Sequence, residues 1–244
     1  MEVLHQILTK AAEHKAVMRV IGSIAFRIRC PDYKYMQYAN QRYLTDVDFV
    51  CYKKQALRVA DTFDALGWEE NMGVLAKFGD KRRIFYHPSL PIHSDIFIDK
   101  LRFCHEIDFK GRLELDSPTI SLVDLLLEKL QIVEINRKDL VDMMVLLSQY
   151  PVGQGVSTEH VDGTYLAEIC SKDWGWWRTA TMNIEKVHQF AGEYLGEEDA
   201  ANVRQRLTEL RKMIDEHKKS LGWKLRSKIG DKQKWYREVE EVER

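Results

Sequence analysis

The chain has 244 residues, 45% of them hydrophobic and 31% charged, enough apolar material for a packed core and too much for intrinsic disorder. Its net charge of −1 means that whole-protein electrostatics do not point to a nucleic-acid partner. The four cysteines, Cys30, Cys51, Cys104 and Cys170, are scattered without a C-x-x-C pair, which argues against a zinc knot or disulfide scaffold and fits reduced thiols in a cytoplasm. No apolar run approaches the roughly 20 residues that span a bilayer, so no membrane partner is expected.

Residues 2–15 read as an amphipathic helix with Leu4, Ile7, Leu8 and Ala11 on one face, not as a signal peptide. A short apolar strand over 17–21 ends at Gly22, and Ser23 is expected to cap a helix that Pro31 stops. Residues 31–43 are polar and rich in tyrosine, with Tyr33, Lys34, Tyr35, Tyr38, Arg42 and Tyr43. They suit either a substrate-contacting loop or a structural loop packed by its own rings. Strands are expected over 45–52, 74–78, 82–87 and 92–98, and a helix over 54–66 stopped by Gly67.

From Ser117-Pro118 onward the pattern turns helical, with helices expected over 121–136, 138–149, 158–170, 176–192 and 197–219. The break at 151–155 is the best hinge. The chain is thus expected to be α+β: an α/β unit over 1–115 with a small mixed sheet, then an all-helical domain over 116–244.

The chemistry concentrates in the strand Thr45-Asp-Val-Asp-Phe49. Side chains alternate across a strand, so Asp46 and Asp48 share one face while Val47 points to the other. Two carboxylates on a buried strand repel and are costly to desolvate, and a divalent cation is the usual remedy; oxygen-only ligands favour Mg²⁺ or Mn²⁺ over zinc. Asp95 and Asp99 share one face of the strand around Ile96, and Asp95 completes a three-carboxylate cluster if the two strands are neighbours. The Gly22-Ser23 turn offers N–H groups and a hydroxyl suited to phosphate.

Gly-Ser, then Asp-x-Asp between apolar residues, then a lone strand Asp, resembles the nucleotidyltransferase superfamily with the DNA polymerase β-like fold. The resemblance implies an enzyme that moves a nucleoside monophosphate from an NTP such as ATP to an acceptor and releases pyrophosphate. It implies Gly22 and Ser23 on the triphosphate, and Asp46, Asp48 and Asp95 on two Mg²⁺ ions. The gap from Ser23 to Asp46 is longer than the family usually shows. The helix Leu125-Leu-Leu-Glu-Lys-Leu-Gln-Ile132 and the segment Asn136-Arg-Lys-Asp-Leu-Val-Asp142 further resemble the Lys-bearing helix and Lys-Asp-x-x-Asp segment of nucleotidyltransferase toxins of bacterial abortive-infection toxin–antitoxin systems. That likeness implies Lys129 on the nucleotide phosphates and Asp142 in support, with Lys138 and Asp139 as further candidates. A plain amphipathic helix pair with solvent-facing Lys129 and Asp139 is the structural alternative.

Arg82 and Arg83 are candidates for phosphate contacts or plain surface charge; His87 and His93 for proton transfer or turn packing. Trp174, Trp176 and Trp177 are expected to pack the helical core. Segment 218–237 mixes eight cations with aromatic residues and one acid, which suits either a nucleic-acid backbone or a solvated helix face. The acceptor stays open among small molecule, RNA and protein, and a non-catalytic binding module of the same fold is the rival reading.

Overall fold

The computed structural model describes residues 1–39 and 45–239; Arg42, Tyr43 and most of the acidic end 238–243 lie outside them. The chain folds as α+β, with a small mixed sheet in the first half and a helical second half.

The first half opens with α1 (Glu2–Glu13), whose Leu4, Ile7 and Ala11 are buried. Then come β1 (Met18–Ile21), α2 (Gly22–Arg29), the short α3 (Tyr35–Ala39) and β2 (Asp48–Cys51). A 3-10 turn leads into α4 (Ala56–Ala65), followed by β3 (Glu69–Glu70), α5 (Met72–Phe78), β4 (Arg82–Tyr86) and β5 (His93–Ile98). The sheet order is β1-β2-β5-β4-β3, with β2 and β5 parallel and the other neighbours antiparallel. A parallel pair needs a long crossover, and 56–86 supplies it.

The two faces of this sheet differ in chemistry. Phe49 meets Phe63 of α4 edge-on at 6.3 Å, and Phe63 stacks on Phe85 at 4.5 Å. That apolar face is sealed by α4. Asp48, Asp95 and Arg82 sit on the opposite face, because Phe49 pairs with Ile96 and Arg82 with Phe97.

The sequence reading misplaces several elements. Residues 74–78 belong to a helix, not a strand, because Asn71 caps it by accepting the Val74 N–H at 3.0 Å. The 45–52 strand is regular only over β2, with Asp46 in an isolated bridge to His93. Ser23 does not cap α2; Gly22 opens the helix at φ 67°, a left-handed conformation that its lack of a Cβ allows, and so turns the strand straight into the helix. A hairpin of β6 (Lys100–Arg102) and β7 (Glu106–Asp108) leaves no pattern in the sequence, since each strand has one apolar residue, buried Leu101 and Ile107.

The second half comprises α6 (Leu122–Leu130), α7 (Arg137–Gln149), α8 (Gly163–Lys172), α9 (Trp174–Tyr194), α10 (Glu197–Glu216) and α11 (Leu221–Ile229). It is not all-helical. Val152–Gly153 pairs in parallel with Val161–Asp162 (β8 and β9), so the 151–155 segment carries a strand, and α8 starts after Asp162 rather than at 158. Every residue of α6 is buried, so it has no solvent face, and the amphipathic alternative for Lys129 and Asp139 fails. Among the described residues, no helix is long and apolar enough to cross a membrane.

Candidate active site

The register of β2 and β5 brings the sequence-separated acids together. Asp48 lies beside Asp95, and its Oδ1 accepts the Asp95 backbone N–H at 3.2 Å. Asp46 extends the row beside His93. Its Oδ1 accepts the Thr45 hydroxyl at 2.7 Å and lies 3.3 Å from His93 Nε2. Asp99 leaves the row: it sits past the end of β5 at φ 60° and accepts the Lys53 N–H at 2.9 Å.

The antiparallel β1–β2 pair then delivers the Gly22-Ser23 turn to the same place, because Ile21 pairs with Asp48. A Cβ on Gly22 would sit 3.5 Å from Asp48 Oδ2. Strand pairing thus converges the turn with acids that lie 23 or more positions from it in sequence.

Two interactions at this site were not expected from sequence. Arg82 grips Asp95 with Nη2 at 2.7 Å from Oδ2 and Nε at 3.3 Å from Oδ1. Arg83, on the other face, binds Glu70 at 2.5 and 2.6 Å and is remote from the acids. Glu128 of α6 reaches across and accepts the Gly22 N–H at 3.1 Å. Glu128 is buried, its other oxygen has no hydrogen-bond partner among the described residues, and burial pushes its pKa up to about 8, with Asp48 adding repulsion. Nothing in a leucine-rich helix marked Glu128 out beside its neighbour Lys129.

Lys129 and Asp142 form a second buried constellation. Lys129 Nζ lies 2.7 Å from Asp139 Oδ1 and 2.9 Å from Asp142 Oδ2. Gln37 of α3 bonds Asp142 Oδ1 at 2.5 Å and the Ser23 carbonyl at 3.5 Å, and takes a hydrogen bond from Arg27 at 3.1 Å. One route from Lys129 to the Gly-Ser turn thus runs through Asp142 and Gln37. Lys138, one residue before Asp139, is exposed. His87 is a turn residue, its Nδ1 accepting the Ser89 and Leu90 N–H groups at 3.1 Å.

Asp46 and Asp48 supply the hard oxygen donors that Mg²⁺ or Mn²⁺ prefers. Asp95 has both oxygens on Arg82, and among the described residues no group of three His, Cys, Asp or Glu is gathered to hold a metal alone. Two carboxylates still fit the way Mg²⁺ is commonly bound, through one or two protein carboxylates with substrate phosphates completing the shell.

Compared with known proteins, the chain matches no family model, no curated protein and no solved structure.

Proposed function

We propose that the protein is a Mg²⁺-dependent nucleotidyltransferase, transferring a nucleoside monophosphate from an NTP to an acceptor with release of pyrophosphate. The observation that carries this reading is the convergence of Gly22, Asp48 and Asp95, with Asp48 Oδ2 3.5 Å from a Gly22 Cβ and Asp48 Oδ1 3.2 Å from the Asp95 N–H.

In this reading Asp46 and Asp48 hold the metal, Mg²⁺ or Mn²⁺, which when bound supplies charge neutralisation to the triphosphate. Gly22 N–H is committed to Glu128, so Ser23 presents its hydroxyl and N–H at the start of α2 to the phosphates. Lys129 and Asp142 support the turn through Gln37. The acceptor oxygen attacks the α-phosphorus, the bond to pyrophosphate breaks, and the acceptor's proton passes to Asp95 once Arg82 releases it. Arg82 is then placed to meet the departing negative charge. Catalysis rests on positioning and charge, not covalent chemistry.

The test is incubation with each α-labelled NTP, Mg²⁺ or Mn²⁺ and total cellular RNA, beside an Asp46→Ala/Asp48→Ala protein. Label on RNA, on protein or on a small molecule, absent in the control, supports the assignment and names the acceptor class. Full turnover by the double variant overturns it. Growth arrest on expression, relieved by Asp48→Ala, marks the toxin-like form.

One observation favours a second reading, a nucleotide-binding module without turnover: Asp95 and the Gly22 N–H are both engaged by protein groups. Tight NTP binding without product selects it.

A further inference from the structure

Helix α11 is folded inside out. Its exposed side carries Leu221, Leu225 and Ile229, which are 80%, 65% and 43% exposed, while Trp223, Arg226 and Ser227 are the partly buried members. Spaced four residues apart, the three apolar side chains form one stripe about 12 Å long and about 80° wide. Exposed Lys224 and Lys228 flank it on one side. Single exposed leucines need no explanation, but an aligned apolar row with a charged rim does.

The helix is also held still. Trp223 packs edge-on against Trp177 at 5.3 Å, and the Arg226 guanidinium lies 4.6 Å from the Trp174 ring centre. Arg226 further donates to the Gly230 and Gln233 carbonyls at 2.8 and 2.6 Å, and Ser220 caps the first turn at the Trp223 N–H. A rigidly docked helix presents its stripe at little ordering cost.

Charge selects the occupant. Segment 218–237 carries eight cations and one acid, +7, so with the whole chain at −1 the remaining residues carry −8. Pairing with a second copy through α11 would set two such basic segments face to face, which disfavours self-association by this helix. A stripe narrower than the ~100° of a globular helix face resembles the seam of a helix pair. Membrane-surface helices use a broad apolar face with Trp or Phe pointing outward, and here Trp223 points inward. We infer that α11 is a docking helix for an acidic amphipathic helix of a partner protein, with Leu221, Leu225 and Ile229 filling the seam and Lys224 and Lys228 pairing with its carboxylates. This inference does not depend on the transferase reading.

The test is fluorescence anisotropy of the full chain with a labelled synthetic helical peptide that carries leucines along one face and glutamates beside them. The same peptide with lysines for glutamates, phosphatidylserine vesicles and an oligouridylate are run beside it. The glutamate peptide is expected to bind, with a loss of roughly tenfold or more in Leu225→Glu and in Lys224→Glu/Lys228→Glu. Both variants change exposed residues, and circular dichroism verifies their fold. No binding of the glutamate peptide, binding that ignores Leu225→Glu, or Leu225-dependent preference for vesicles, for RNA or for the lysine peptide would each overturn the inference.

Discussion

Helices α6 and α11 are both nine residues long and treat their side chains in opposite ways. All nine residues of α6 are buried, including Asp124, Glu128 and Lys129, whereas no residue of α11 is, its leucines included. Composition therefore does not decide burial here. In α6, Asp124 is held by Arg112 at 2.9 and 3.0 Å, and Lys129 by Asp139 and Asp142. Partners make buried charge tolerable, and Glu128 tolerates burial by holding its proton. α11 lies on the outside of α8 and α9, attached by Trp223 and Arg226, so among the described residues nothing covers its leucines.

The largest difference between the helices should appear when a partner of α6 is removed. Asp142→Ala removes a carboxylate from Lys129 in a dry setting and takes the Asp142 bond from Gln37, and a loss of about 3–5 kcal/mol in urea unfolding is expected. Leu127→Ala, at a fully buried position, should cost about 2–5 kcal/mol in the same assay.

Glu128 sharpens the comparison through pH. Its folded pKa of about 8 lies above the usual carboxylate value of 4.5, so the folded state binds the extra proton. The stability contributed by this group is fully present below pH 4.5 and is lost as pH rises toward 8. Glu128→Gln keeps an acceptor for the Gly22 N–H and removes the titration. Stability curves of the two proteins should run parallel at low pH and diverge, by several kcal/mol at most, in favour of the variant between pH 4.5 and 8. Parallel curves throughout would show that Glu128 does not carry a raised pKa.

Gly175 probes the attachment of the C-terminal strap that follows α11. A Cβ there would lie 2.5 Å from the Trp235 carbonyl oxygen, a backbone atom that cannot give way cheaply. Gly175→Ala should cost about 1–3 kcal/mol and expose 233–239 to limited proteolysis, since the Trp235 indole bond to Thr179 and the Arg237–Cys104 backbone bond would both be disturbed. At the small end, Leu225→Glu should change stability by less than about 0.5 kcal/mol, and a larger loss would mean that α11 is not outward-facing.

How much of this could be read from the chain differs by element. β1, β4, β5 and the helices α6 to α10 follow from apolar periodicity, which there reports on burial; α11 does not, since its apolar row faces out. The 74–78 segment reads as a strand because Val74, Leu75 and Phe78 are apolar, but the Asn71 cap outweighs that pattern. At the site, Asp46, Asp48, Asp95 and the Gly22-Ser23 turn are visible as a motif. Their convergence needs β2 beside β5 and β1 beside β2, which no local pattern specifies. Gln37 is not marked by the sequence, and Arg82 reads there only as a phosphate contact or surface charge, because each acts through a partner 105 or 13 residues away.

Alternation on a strand is a property of the backbone, so the sequence by itself determined that Asp46 and Asp48 share a face. It determined likewise the helical character of the second half, because a 3.6-residue apolar period suits no other element. Only the tertiary structure decided which acid meets Arg82, that Glu128 rather than an outside anion takes the Gly22 N–H, and which side of α11 faces out. Those choices depend on the summed packing of elements distant in the chain, and pairwise contacts across a fold leave no mark in the periodicity of either segment alone.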